Sequence, residues 1–282
     1  MRKIKIFTDS TSDLTPKLLE RFDIGIVPLY VVFGETSYRD GVDMVPGTLY
    51  RLVDETGNLP KTSAPSPGDF LSHFEPFIQD GFDILYIGLS SEISSTIQNA
   101  TIAANQFEEG RITVIDSRNL CTGIGLQVVQ AARLAEEGKT VQEITTYLLN
   151  KRGDIESEFL IDTLDYLHKG GRCSSVQALI GNMLKIRPIV KVVDGKMIVP
   201  VKIRGKREKA LQQLLDNALV NARQMVPGTL YVAHSYALEE AEYLRDELAR
   251  ATGEKDIPIT EAGCVISSHC GRQTVGIFYM KA

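Results

Sequence analysis

Much of what this chain could be is excluded by what it lacks. No apolar run approaches the ~20 residues that span a bilayer. The opening residues, Met1-Arg2-Lys3-Ile4-Lys5-Ile6-Phe7-Thr8-Asp9, lead straight into a strand-like segment without an apolar leader core. The expectation is a cytoplasmic protein with no stable membrane insertion. Basic residues are scattered, apart from the short stretch Lys202–Arg204–Lys206–Arg207, and 31 Lys and Arg against 36 Asp and Glu leave a formal net charge of −5. Such a chain has no broad basic face to follow a phosphate backbone, so nucleic acid is not an expected partner. The 4 cysteines, Cys121, Cys173, Cys264 and Cys270, form no C-x-x-C pair, and no histidine stands at zinc-ligand spacing from them. Free thiols are expected, in a reducing compartment. Metal and cofactor are both expected to be absent. The phosphate loop G-x-x-x-x-G-K-[ST], the G-x-S-x-G elbow and H-E-x-x-H are missing, and Gly123-Ile124-Gly125 lacks the third glycine of a dinucleotide turn. No nucleophile or general base stands out, so no catalytic residue is assigned.

What is present is a folded globular composition, 43% hydrophobic and 24% charged over 282 residues, long enough for two domains of ordinary size. The first half alternates short apolar strands with helices. Strands are expected at Lys3–Thr8, Ile24–Phe33, Asp83–Leu89 and Arg111–Asp116. Helices are expected from Thr15-Pro16 onward and at Pro46–Glu55, Pro67–Gln79, Ser94–Phe107, Gly125–Gly138 and Val141–Asn150. That rhythm predicts a parallel sheet with helices on both faces. The second half differs. Asp194-Gly195 is a two-residue hairpin signal between Pro188–Val193 and Lys196–Arg204, which makes its sheet mixed. Further strands are expected at Ser157–Asp162, Thr229–His234, Ile257–Glu261 and Thr274–Lys281. Helices are expected over Leu164–Leu184, with a break at Gly170-Gly171, and over Arg207–Met225 and Leu238–Thr252. The fold class is therefore α/β, in two α/β domains, 1–153 and 154–282, with a ligand in the crevice between them.

Three hydroxyl-rich segments stand where strands hand over to helices: Thr8-Asp9-Ser10-Thr11-Ser12-Asp13, Thr62-Ser63-Ala64-Pro65-Ser66-Pro67, and Ser90-Ser91-Glu92-Ile93-Ser94-Ser95-Thr96. Helix N-termini present unpaired N–H groups, so such turns hold carboxylates or phosphates. The plainer reading makes each of them a set of helix caps. His269, between a strand and a glycine turn, is either structural or a ligand contact, and Arg204 is either a surface charge or an anion partner. Leu179, Ile180, Met183, Leu184 and Ile186 are candidates for an apolar tunnel, or else plain core.

These segments resemble the DegV family. Thr8-Asp9-Ser10-Thr11-Ser12-Asp13-Leu14 is similar to the family's opening, Thr62-Ser63-Ala64-Pro65-Ser66-Pro67 to its T-S-x-P-S-P, and Ser90 to Ala100 to its S-S-x-L-S-G-T-Y-x-x-A. The longest match runs from Asp162 to Arg172 and on through Ile186-Arg187-Pro188-Ile189. The resemblance implies a lipid-binding protein without catalysis of its own, holding one long-chain fatty acid such as palmitate between two α/β domains. It also implies a partner, the catalytic protein of a bacterial fatty acid kinase, to which the acid is presented for acyl phosphate formation in phospholipid metabolism. Carried over by motif, Thr62, Ser94, Ser95 and His269 bind the carboxylate, Arg204 lies near it, and Arg172 docks the kinase. Two departures stand out: Ser95 replaces a usual glycine, and Cys270-Gly271-Arg272-Gln273 follows His269 where the family has H-x-G-P-G. The alternative is a small-molecule enzyme acting on a phosphate- or carboxylate-bearing polar substrate; a protein that only senses lipid is a third.

Overall fold

Short strands made of continuous apolar residues need cover on both faces. In the computed structural model, which describes residues 2–172 and 186–282, the first half supplies that cover. Strands β1 (Ile4–Asp9), β2 (Gly25–Val27), β6 (Asp83–Gly88) and β7 (Ile112–Asp116) form a wholly parallel sheet in the order β2-β1-β6-β7. One face packs on α3 (Pro67–Gln79) and α4 (Thr96–Ala104) through an aromatic cluster, with Phe70 edge-on to Tyr86 at 5.2 Å between centroids. The other face packs on α5 (Thr122–Glu136). The remaining elements of this half are α1 (Pro16–Arg21), α2 (Pro46–Thr56) and α6 (Val141–Lys151).

Beside that sheet lies a three-stranded antiparallel sheet, β4-β3-β5, that the sequence pattern does not announce. Its strands are β3 (Tyr30–Phe33), β4 (Thr36–Arg39) and β5 (Lys61–Ser63). Ile24–Phe33, expected as one strand, is two strands in different sheets, β2 and β3. The break falls at Pro28, which has no N–H to give to a ladder.

The second half forms one mixed six-stranded sheet, order β10-β9-β8-β13-β11-β12, from β8 (Ile155–Leu160), β9 (Ile186–Val193), β10 (Lys196–Arg204), β11 (Tyr231–Ser235), β12 (Ile259–Glu261) and β13 (Thr274–Met280). All its pairings are antiparallel except β11 with β12. The β9–β10 turn takes φ 48° at Asp194 and 82° at Gly195, the left-handed pair that a two-residue hairpin requires. Helices α8 (Arg207–Leu219) and α9 (Leu238–Thr252) cover one face. Helix α8 ends six residues before the expected Met225: its buried stripe stops at Ala218, and Val220 is 82% exposed.

The other face turns toward α5, which touches β1 and β6 of the parallel sheet and β8 and β13 of the mixed one. A helix wedged between two sheets must be apolar or small all round, and α5 is buried continuously from Thr122 to Val129. Two short helices complete the described chain, α7 (Asp165–Lys169) and α10 (Cys264–Cys270). Cys173 and the tunnel candidates Leu179, Ile180, Met183 and Leu184 lie outside the described residues, as does the rest of the helix expected up to Leu184; Ile186 opens β9. Among the described residues no helix is long and apolar enough to cross a membrane.

Candidate functional site

A cavity lies between the two sheets, walled from both halves of the chain. Phe159, Ala233 and Phe278 form its floor on the mixed sheet. Leu29, Leu89 and Leu120 face them from the first half, and α10 adds Val265 and Ile266. Of its polar side chains, Thr62, Ser63, Ser94, Arg172 and His269 form one group, and His234, Ser235 and Thr274 line the mixed-sheet side. Thr62 Oγ1 stands 2.8 Å from His269 Nε2, joining β5 of the first half to α10 of the second. Arg172 Nε donates to the Ile93 carbonyl at 3.4 Å, which sets the guanidinium beside the Ser94 turn.

Each of these side chains is held by its own local structure. Thr62 sits in β5 opposite Val31. Just beyond, Ser66 caps α3 in a box with Asp69, and Asn99 Nδ2 of α4 donates to the Pro65 carbonyl at 2.7 Å, tying the Thr62 and Ser94 segments together. Ser94 Oγ accepts from Thr96 N at 3.3 Å and shares a hydrogen bond with Thr96 Oγ1 at 2.8 Å. The α7 exit fits against the imidazole because residue 170 is glycine: a Cβ there would stand 2.2 Å from His269 Nδ1. Arg172 Nη1 then donates back to the Gly170 carbonyl at 2.9 Å.

The electrostatics of this end are dominated by burial. Desolvation first, and the Arg172 guanidinium second, lower the His269 pKa to about 4, so the imidazole is neutral at pH 7. Among the described residues its buried Nδ1 has no hydrogen-bond partner. The cavity wall also carries two thiols, Cys121 and Cys270, and burial pushes Cys270 up to about 12, which leaves it an inert thiol. Cys121, Cys264 and Cys270 are free. Among the described residues no group of three or more His, Cys, Asp or Glu is placed to hold a metal ion.

The sequence-predicted residues divide. Thr62, Ser94 and His269 meet in the cavity, whereas Ser95 is exposed at the start of α4 and Arg204 is exposed at the end of β10; neither lines the cavity. Of the three hydroxyl-rich segments, the first does not reach the cavity either. Asp9 is spent accepting from Thr11, from Tyr86 OH at 2.8 Å and from Leu89 N at 2.9 Å, and Asp13 accepts from Gly263 N at 2.8 Å. Arg172, assigned by resemblance to docking the kinase, also lines the cavity beside His269 and the Ser94 turn. Of the unusual loop after His269, Cys270 lies on the cavity wall, and Gly271, Arg272 and Gln273 lie away from it. The Arg272 guanidinium lies over the Tyr50 ring at 4.8 Å and pairs with Asp54 at 2.6 Å, and Gln273 takes φ 55°.

Comparison with known proteins places this geometry. A DegV domain-containing protein of Clostridium acetobutylicum is 35% identical over 281 residues, covering 100% of this chain and 99% of that protein. Among solved structures, a fatty-acid-binding DegV family protein from Thermus thermophilus superposes with a TM-score of 0.90 at 31% identity, covering 100% of both chains. DegV of Bacillus subtilis, a fatty acid binding protein, gives 0.89 at 30%, again over 100% of both. A stearic-acid-binding protein from Eubacterium ventriosum gives 0.89 at 28%, over 100% of this chain and 98% of that one. A family model described as DegV, uncharacterised protein, matches residues 3–282, and the chain belongs to the DegV family.

Proposed function

We propose that the chain binds one long-chain fatty acid, with its carboxylate at the Thr62–Ser94–His269 end of the cavity and its tail over the Phe159 and Phe278 floor. The observation that carries this reading is the make-up of the cavity: hydroxyls, an imidazole and one guanidinium gathered around Thr62 and His269, on a wall that is otherwise mostly apolar apart from His234, Ser235 and Thr274. Burying some fourteen methylenes at ~0.8 kcal/mol each yields roughly 11 kcal/mol of gross transfer free energy. Ordering and association offset a substantial part of that. The tail therefore supplies most of the affinity, while charge-assisted bonds of about 1.5–3 kcal/mol each fix the head group. In this reading Arg172 supplies the cation opposite the carboxylate, and Ser95 and Arg204 remain on the surface outside the contact. The likeness to fatty-acid-binding relatives of the same family supports the assignment.

The same reading makes the chain a carrier, in units 1–153 and 154–282, needing no cofactor and presenting the acid to a separate fatty acid kinase in the cytoplasm. An enzyme for a polar, phosphate-bearing substrate is the weaker reading, because such a substrate would lose its hydration against a mostly apolar wall that returns few hydrogen bonds.

Native mass spectrometry of the purified protein, followed by denaturing lipid extraction, tests the assignment. The expected result is a near-stoichiometric adduct with the mass of a fatty acid, absent from a Thr62→Ala/His269→Ala double variant. Protein that stays empty after incubation with fatty acids would sink it.

A further inference from the structure

Helix α10 carries no side-chain cap of its own, since its N-cap residue is Gly263. Its first N–H groups are satisfied from the other half of the chain. Cys264 N donates to Asp40 Oδ1 at 2.7 Å and Val265 N to Asp40 Oδ2 at 3.2 Å, while Gly263 N donates to Asp13 Oδ1 at 2.8 Å. Asp40 follows β4 and Asp13 follows β1, and both are buried, 2% and 7% exposed. The far end of the same helix presents His269 to Thr62. At ~1.5 Å rise per residue the two ends are only about 10 Å apart, so a change of tilt at the caps is carried directly to the imidazole.

We propose that Asp40, supported by Asp13, is a positioning residue for the head-group site: it caps α10 from across the interface and so sets where His269 stands. This inference rests on the fatty-acid reading above. The two acids act differently. Asp40 uses both oxygens as acceptors, so an amide there turns an NH2 toward a backbone N–H. Asp13 offers one oxygen to Gly263 N, its carboxyl also meets the Cys121 thiol, and burial raises its pKa well above the ordinary carboxyl value. Asparagine keeps the Oδ1 acceptor that Gly263 N uses, whereas alanine removes it.

The test compares delipidated wild type with Asp40→Asn, Asp13→Asn and Asp13→Ala, titrated with palmitate and with hexadecanol, which has the same tail and no charge. The expected outcome for Asp40→Asn and Asp13→Ala is a loss of palmitate affinity of about tenfold, with hexadecanol binding within about twofold of wild type. Asp13→Asn, the conservative variant, should restore palmitate binding. Equal losses for both lipids, or unchanged palmitate binding in Asp40→Asn and Asp13→Ala, would overturn the proposal. If Asp40→Asn does not fold, the Asp13→Ala and Asp13→Asn pair decides alone. Wild type that takes up neither lipid sinks the fatty-acid reading instead. The His269 ring resonances then decide the positioning claim, since Asp13→Ala must shift them and Asp13→Asn must not.

Discussion

At the scale of the residue, His269 binds its proton only near pH 4, against about 6.5 for the free side chain. Between those values the unfolded chain holds a proton that the folded chain does not. This contribution to stability is therefore complete above about pH 6.5 and is lost as the pH falls toward 4, by roughly 3 kcal/mol in total. Asp9, Asp13 and Asp40 act with the opposite sign: burial raises their folded pKa values, so they favour the folded state more as the pH drops. Their opposing slope masks that of the histidine in the wild type alone. Comparing urea unfolding of wild type and His269→Gln at pH 7 and pH 5 isolates it. The difference in unfolding free energy between the two proteins should shift in favour of the variant at pH 5, and a constant difference would show that His269 titrates normally.

The contact between Thr62 and His269 was legible in the sequence because both stand in recognisable motifs. The Arg172 placement was not, because a motif records which residue is present but not which way its turn faces. Gly170 decides that direction, through an approach to the His269 ring that closes only in the fold.

At the scale of the element, α3 owes its start to Ser66 and Asp69, whose side chain and backbone groups bond reciprocally. Asp69 also accepts from Tyr30 OH at 2.9 Å, fastening the three-stranded sheet to that helix. Asp69→Ala removes both, and a loss of about 1–2 kcal/mol is expected in thermal or urea unfolding. A loss below a few tenths would mean that the cap is replaced by water.

Elements long enough to show a period were legible: the parallel strands β1, β6 and β7, α3, α5, α9 and the hairpin at Asp194-Gly195. The small sheet was not, since β4 and β5 are exposed or half-buried strands of four and three residues, Thr36–Arg39 and Lys61–Ser63, with no alternation to read. Helix α10 escaped for a different reason. A start signal is sought in the residues just before a helix, and here it lies at positions 13 and 40, more than two hundred residues away.

At the scale of the whole molecule, the halves are joined by buried hydroxyls as well as by hydrocarbon. Tyr50 OH of α2 shares a hydrogen bond with Ser235 Oγ of β11 at 2.6 Å, which in turn meets Ser267 Oγ of α10 at 2.9 Å. Tyr50→Phe keeps the ring and removes the first link. The expected cost is about 1 kcal/mol in urea unfolding, larger if Ser235 is left without a second partner. An unchanged midpoint would show that the apolar contact alone holds the halves together.

The strand order of the mixed sheet has a consequence for how the chain is made. β13 leaves the ribosome after the other five strands of its sheet, yet it pairs with β8 on one side and β11 on the other. Until it arrives, both neighbours wait with open edges, and Asp13 and Asp40 wait for the helix that immediately precedes it. Synthesis can complete the parallel sheet early, as N-terminal units fold first. The mixed sheet and the cavity wall come together only once β13 has emerged, so a nascent chain stalled before Thr274 would expose the interior of one half to the cell's quality control.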